Sequence, residues 1–144
     1  MMLATRSLPA PFGVEILAFD LTQASKDRHY SAIRALFEEH SLLLFRNQKI
    51  DDHTHTKIAQ WFGTPENREA MAKNVPHDFQ VSLVSNDDGT GTAIPDDAMH
   101  LLDLQANMLW HTDSTFLPVP ALANLLLART LPRHGGETEF ASSW

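Results

Sequence analysis

Apolar and polar residues alternate in three distinct ways along the chain. Residues 14–19, VEILAF, predict a short strand, and Asp20-Leu21-Thr22 then turns the chain toward a helix. Across 27–40, Tyr30, Ile33, Leu36 and Phe37 recur at helical spacing, with Arg34, Glu38 and Glu39 on the other side. That pattern predicts an amphipathic helix. The run SLLLF at 41–45 suits a buried strand. Asp51 or Asp52 is placed to cap a second helix, which carries Ile58, Trp61 and Phe62 inward and stops at Gly63, before Pro65. The lead-in 1–13 holds Pro9, Pro11 and Gly13 and reads as irregular.

The pattern then loses its helical period. Phe79, Val81 and Leu83 share one face of a predicted strand over 79–84. Residues 86–97 are rich in Gly, Asp and Thr, include Pro95, and read as a mobile loop. Pro118 and Pro120 break the chain before a predicted strand at 121–130, a turn at 131–136 and a further strand from 137 to 140. No repeat or low-complexity tract interrupts this order. Helices and strands come first and β-rich structure follows, which predicts an α+β fold. The last third resembles the opening strands of a larger sheet, because so few strands cannot close a barrel or sandwich.

Composition narrows the function classes. With 43% hydrophobic residues among 144, the chain can build a core. Its formal net charge of −7 argues against nucleic acid, whose phosphates need a basic face. A small anion remains acceptable, since a few local cations can hold one carboxylate. There is no cysteine, so any metal must be held by His, Asp or Glu. The first 25 residues lack a basic stretch followed by a long apolar run, and the longest apolar stretch, 121–128, is interrupted by Asn124. Neither a secretory signal nor a membrane span is predicted, and a cytoplasmic protein is the default expectation.

The chemistry concentrates at Trp110-His111-Thr112-Asp113. In a strand, residues two apart point the same way, so His111 and Asp113 would offer an imidazole nitrogen and a carboxylate oxygen to one point. Such a mixed pair suits Fe(II), where two His and one carboxylate on one face leave three positions open. The tripeptide H-x-D alone has a bland reading too, a strand-end histidine beside a loop aspartate. Its surroundings are more specific. Asn107-Met-Leu-Trp-His-Thr-Asp-Ser-Thr-Phe116 is followed by Gly135-Gly-Glu-Thr-Glu-Phe140, and Thr138 lies 27 positions after His111 (138 − 111).

These linked motifs resemble the taurine/2,4-dichlorophenoxyacetate dioxygenase family, closely over 107–140 and loosely over the whole chain, with wording nearer the phenoxyacetate branch. The resemblance implies a double-stranded β-helix (jelly-roll) with N-terminal helices, incomplete in this chain. It implies Fe(II) as the metal, 2-oxoglutarate as co-substrate, and hydroxylation of a small anionic molecule such as a phenoxyalkanoate or a sulfonate, with succinate and CO₂ as co-products. His111 and Asp113 match the first two iron ligands, and Thr138 matches a threonine that helps hold a 2-oxoglutarate carboxylate. Asn107 and Phe116 match positions lining the substrate pocket. The family's second ligand histidine and its 2-oxoglutarate arginine lie on late strands, whereas this chain ends 31 residues after Asp113 (144 − 113). Residues 1–144 are therefore expected to be the N-terminal portion of a single dioxygenase domain, not active alone. The implied partners are a small substrate and O₂, with no nucleic acid or membrane and with room for a homo-oligomer.

Other candidates carry weaker chemistry. His53 and His55 sit two apart on a predicted helix, where they point to different sides, so a solvated face is expected rather than a metal pair. His29 and His40 fall at the ends of the first helix, and His40 there suits the helix dipole. His77 and His100 could approach a substrate and Arg68 or Lys73 could hold a substrate carboxylate, but the bland reading, exposed charge in the case of Arg68 and Lys73, is the expected one; Asp87, Asp88, Asp96 and Asp97 read as solvated loop acids. His134, in a Pro/Gly turn, is expected to face solvent, and Trp110 to pack beside the metal ligand. Two rival functions stand beside the leading one: another metal enzyme on a β-barrel, and a non-catalytic binding domain that keeps the half-site.

Overall fold

The computed structural model describes residues 2–65, 81–86, 92, 95 and 104–143. The chain divides into two compact units, Met1–Trp61 with Leu125–Trp144, and Phe62–Asn124.

The first unit is built on a three-stranded sheet of order β1-β2-β3, with β1 at Thr5–Ser7, β2 at Val14–Ile16 and β3 at Leu43–Phe45. β1 runs antiparallel to β2 with Arg6 opposite Glu15, and β2 runs parallel to β3 with Glu15 opposite Leu44. A parallel pair cannot be joined by a tight turn. Helix α1, Lys26–His40, makes the crossover and packs on β3. Strand period two sends Val14 and Ile16 to one face and Glu15 to the other. Val14, Ile16 and the α1 residue Ile33 are buried, and Phe19 meets the ring of buried His29 edge-on at 5.2 Å. On the opposite face Glu15 is only 6% exposed. Its carboxylate accepts from Arg6 at 2.7 Å and faces Arg46 Nε at 3.4 Å, the pairing a buried charge requires.

β1 lies inside the lead-in expected to be irregular. Its three residues are exposed and polar, and long-range pairing with β2 makes it a strand, not an apolar pattern of its own. The proline-rich stretch between the two strands is the turn, closed by Leu8 N–H to the Gly13 carbonyl at 3.3 Å. Gly13 has φ +93°, and a Cβ there would meet Leu8 Cδ1 at 2.9 Å.

Side chains fix the helix ends. Ser25 occupies the cap position of α1 without a hydroxyl bond to the helix, and its N–H donates instead to His29 Nδ1 at 3.0 Å. α1 ends at Ser41, with φ +63°, whose N–H bonds the Phe37 carbonyl at 2.8 Å. Helix α2, Asp52–Ala59, is capped by Asp51, whose carboxylate accepts from Thr54 N–H at 2.8 Å. α2 and the residues just after it bury Ile58 and Trp61. Gln48 ties the loops together: its amide donates to the Phe19 and Arg46 carbonyls, each at 2.8 Å, and its oxygen accepts from Leu21 N–H at 2.9 Å.

The strands expected at 121–130 and 137–140 do not form among the described residues. The burial alternation predicted for the first persists: Ala123, Leu125 and Leu127 are half-buried while Leu122, Asn124, Leu126 and Ala128 are exposed. A strand needs a ladder as well as a pattern, and the described residues supply none here. Instead α2 holds this stretch. His55 Nε2 lies 3.2 Å from the Leu125 carbonyl, and Arg129 pairs with Asp52. His55 is thus turned inward, with Nδ1 buried, rather than on the solvated face expected of it, whereas His53 is exposed.

In the second unit, Val81–Val84 lacks the expected strand, with Leu83 and Val84 exposed, and the rest of that segment lies outside the described residues. So do most of the 86–97 loop and His77, His100, Arg68, Lys73, Asp87, Asp88, Asp96 and Asp97. The described remainder is a helical turn at 104–106 and a chain reversal at 113–116. Strand and helix content places the chain in the α+β class.

Candidate metal centre

The helical turn at 104–106 is prolonged by Met108 N–H to the Gln105 carbonyl and Leu109 N–H to the Ala106 carbonyl, each at 3.1 Å. The Leu109 carbonyl lies 2.7 Å from His111 Nδ1. A carbonyl only accepts, so Nδ1 carries the proton and in the neutral ring Nε2 presents its lone pair. That nitrogen faces Asp113 Oδ1 at 3.1 Å. Asn124 Nδ2 donates to the other carboxylate oxygen, Oδ2.

Convergence of the two groups was expected from an extended strand, and the backbone achieves it differently. Trp110–Thr112 is irregular and the chain reverses from Asp113 onward. Ser114, 5% exposed, adopts φ +61°, a left-handed conformation costly for a residue other than glycine. Leu117 N–H to the Ser114 carbonyl at 3.0 Å and Thr115 Oγ1 to the Thr112 carbonyl at 3.2 Å close the reversal. The Asp113 side chain is folded back toward His111 by a turn, not by pleating.

A neutral imidazole nitrogen and an ionised carboxylate oxygen both offer lone pairs. At 3.1 Å they repel unless a proton or a cation lies between them. The Leu109 carbonyl, then the Asp113 carboxylate, raise the His111 pKa above its ordinary value, against an opposing effect of burial. A metal fits the same gap. Donors at about 2.1 Å from an octahedral ion and at right angles lie about 3.0 Å apart. The nitrogen–oxygen pair also suits Fe(II) by donor type. Among the described residues no group of three or more His, Asp or Glu side chains is gathered as a metal would need. His111 and Asp113 bring two donors of the required kind together.

Asn107 and Phe116 are exposed. Trp110, expected to pack beside His111, is instead 69% exposed. Its neighbour Leu109 meets the histidine through a backbone carbonyl, which leaves the indole outside. Thr138 belongs to the other unit, where it is exposed and follows Gly135 and Gly136 at φ +70° and +75°. Two successive left-handed residues explain both glycines, and a Cβ on Gly136 would meet Pro132 Cγ at 2.8 Å. His134 is exposed. Asn124 is the site residue that sequence reasoning missed. It reads as an interruption of an apolar run, and nothing in the pattern points it at Asp113.

The sequence profile described as taurine catabolism dioxygenase TauD, TfdA family matches residues 4–144. The chain belongs to this family. This TauD/TfdA-family chain is 29% identical over 143 residues to the alpha-ketoglutarate-dependent 2,4-dichlorophenoxyacetate dioxygenase of Cupriavidus pinatubonensis, covering 97% of itself and 50% of that protein. It is 31% identical over 134 residues to the (S)-phenoxypropionate/alpha-ketoglutarate-dioxygenase of Sphingobium herbicidovorans, covering 93% of itself and 43% of the relative. The chain thus spans about half the length of these curated relatives. Among solved structures it is similar to AAD-2 in complex with Mn(II) and N-oxalylglycine, with a TM-score of 0.72 and 26% identity over 83% of this chain and 43% of that one.

Proposed function

We propose that this TauD/TfdA-family chain supplies the first two metal ligands, His111 and Asp113, of an Fe(II)- and 2-oxoglutarate-dependent dioxygenase that hydroxylates a small anionic substrate of the phenoxyalkanoate class. In this reading residues 1–144 are the N-terminal portion of one jelly-roll domain. The observation that carries the proposal is the His111 ring, tied through Nδ1 to a backbone carbonyl and turned with Nε2 toward Asp113. Metal-ligating histidines are held in this way, their second nitrogen bonded so that tautomer and ring orientation are fixed. The alpha-ketoglutarate dependence named for the relatives and the Mn(II) held by the structural neighbour support the choice of co-substrate and metal.

Bound iron supplies the redox chemistry that couples 2-oxoglutarate decarboxylation to hydroxylation of a C–H bond. The chain's own residues prepare for it. The Leu109 carbonyl holds the imidazole proton on Nδ1. Asp113 adds the negative charge that a divalent ion needs. Thr138, by its match to the family's threonine, would donate one hydrogen bond from its hydroxyl to a 2-oxoglutarate carboxylate. Asn107 and Phe116 offer an amide and a ring to the substrate.

Mn(II) titration of the chain, followed by electron paramagnetic resonance, tests the half-site. One saturable site is expected, lost in His111→Ala and in Asp113→Ala. In a polypeptide joining this segment to a later histidine and arginine, 2-oxoglutarate consumption should require Fe(II) and fall by several orders of magnitude in His111→Ala. Equal Mn(II) binding by His111→Ala, or turnover unchanged in that variant, refutes the proposal. Consumption stimulated by a phenoxyalkanoate rather than a sulfonate supports the substrate class.

A further inference from the structure

A carboxylate has two equivalent oxygens, and a ligand that must offer only one of them needs the other held. Asp113 Oδ1 faces His111 Nε2, while Oδ2 receives Asn124 Nδ2, eleven residues downstream. The amide orientation is set by chemistry: an ionised carboxylate accepts and cannot donate, so the amide must present its NH₂ group. We infer that Asn124 is the positioning residue of the half-site, holding Asp113 as a one-oxygen ligand turned toward His111. This rests on the metal reading above and adds a residue that the ligand motif does not contain.

The choice of a neutral donor matters. A lysine or arginine on Oδ2 would cancel the charge that attracts the cation, whereas an amide fixes the carboxylate and leaves its charge available. Backbone supports sit on either side. The strained Ser114 follows Asp113 directly, and Asn124 lies in the stretch where burial alternates, on its exposed register with Leu122 and Leu126. The same alternation that keeps Leu125 half-buried thus presents Asn124 on the open side. Both Asn124 and Asp113 are exposed, so water competes for the bond. The expected contribution is accordingly that of an outer partner of a metal ligand, at the lower end of the usual 10–100-fold range.

Two readouts test this, one independent of metal. In ¹H–¹⁵N spectra of the labelled chain, the Asn124 side-chain NH₂ pair should stand apart from those of Asn47 and Asn107 and move toward them in Asp113→Ala. In Mn(II) titrations, Asn124→Ala and the similarly sized Asn124→Leu should both bind about tenfold more weakly than the unmodified chain, with unchanged melting of the metal-free protein. An Asn124 NH₂ signal indifferent to Asp113→Ala overturns the inference, and so does wild-type affinity in Asn124→Leu, because only the hydrogen-bond donor is then missing. If the polypeptide that joins this segment to a later histidine and arginine binds no Mn(II) while the NH₂ signal still answers to Asp113, the metal reading falls, and with it the role of Asn124 toward a ligand, though the contact stands. The two failures are told apart by which readout is silent.

Discussion

The stretch from β1 to α2 and the stretch from 104 to 143 satisfy their backbones by different means. In the first, every strand has a described partner and both helices are fixed at their ends by capping or end contacts: β1 pairs with β2, β2 pairs with β3, Asp51 caps α2, and His29 reaches back to the start of α1. In the second, the proposed site residues sit on turns and irregular backbone, with apolar side chains such as Trp110, Phe116 and Phe140 exposed. The paired strands and most of the buried apolar side chains therefore lie in one part of this chain, and the proposed ligands in another. A ligand pair needs only a local reversal and two or three polar contacts, whereas a buried sheet needs partners distant in sequence.

Four changes break or sharpen that contrast. The largest loss is expected from Ile33→Ala, which empties a site only 3% exposed between α1 and the sheet. Urea unfolding should show it as about 2–5 kcal/mol. A loss below 1 kcal/mol would mean that α1 is not the anchor of this half. Gly136→Ala comes next, since a side chain there is strained at φ +75° and would press on Pro132. It should cost about 1–3 kcal/mol if residues 125–143 melt together with the sheet. A separate early transition, with the main midpoint unmoved, would show the two regions to be energetically independent.

The third change is made with pH. The Arg6 hydrogen bond first, with Arg46 contributing, holds the Glu15 carboxyl below its ordinary value of 4.5, against the opposing effect of burial. A depressed folded-state pKa stabilises the fold fully above the unfolded value and loses that stabilisation as pH falls through the folded one. The Glu15 contribution to the urea midpoint should therefore be complete above about pH 5 and be lost on acidification below about pH 4.5. Glu15→Gln should be less stable at neutral pH and less sensitive to acid. An identical acid profile for both proteins would remove the Arg6–Glu15–Arg46 cluster from the account. The smallest effect belongs to Leu126→Ser, at an exposed position of the alternating stretch, expected to stay within about 0.5 kcal/mol. A larger loss in the thermal midpoint would show that this leucine is packed in solution.

Sequence pattern located what depends on neighbours a few residues away. The helix predicted over 27–40 is α1 at Lys26–His40, and Asp51 caps α2 as its position suggested. The 14–19 strand shrinks to Val14–Ile16, because Leu17 leaves the ladder after one bond to the Ala4 carbonyl and Ala18 takes φ +49°. Pattern failed where a partner lies far off. Thr5-Arg6-Ser7 has no apolar signature, yet its pairing across the turn makes it a strand. Residues 121–130 carry a strand's alternation and lack a described ladder. At the site, the spacing of His111 and Asp113 was legible while the route to their meeting was not, since it depends on the left-handed Ser114 and on an amide eleven residues away. Trp110 misled for a related reason: large aromatics are usually covered, but this one follows a helical turn that ends at Leu109.

Gln48 shows what a single side chain can substitute for. By accepting from the Leu21 amide and donating to two carbonyls, it reproduces the donor and acceptor row that an adjacent strand would have offered between Phe19 and Leu21. It thereby fastens the connection before α1 to the one after β3. An insertion in either connection would displace a partner of the same side chain and so disturb the other.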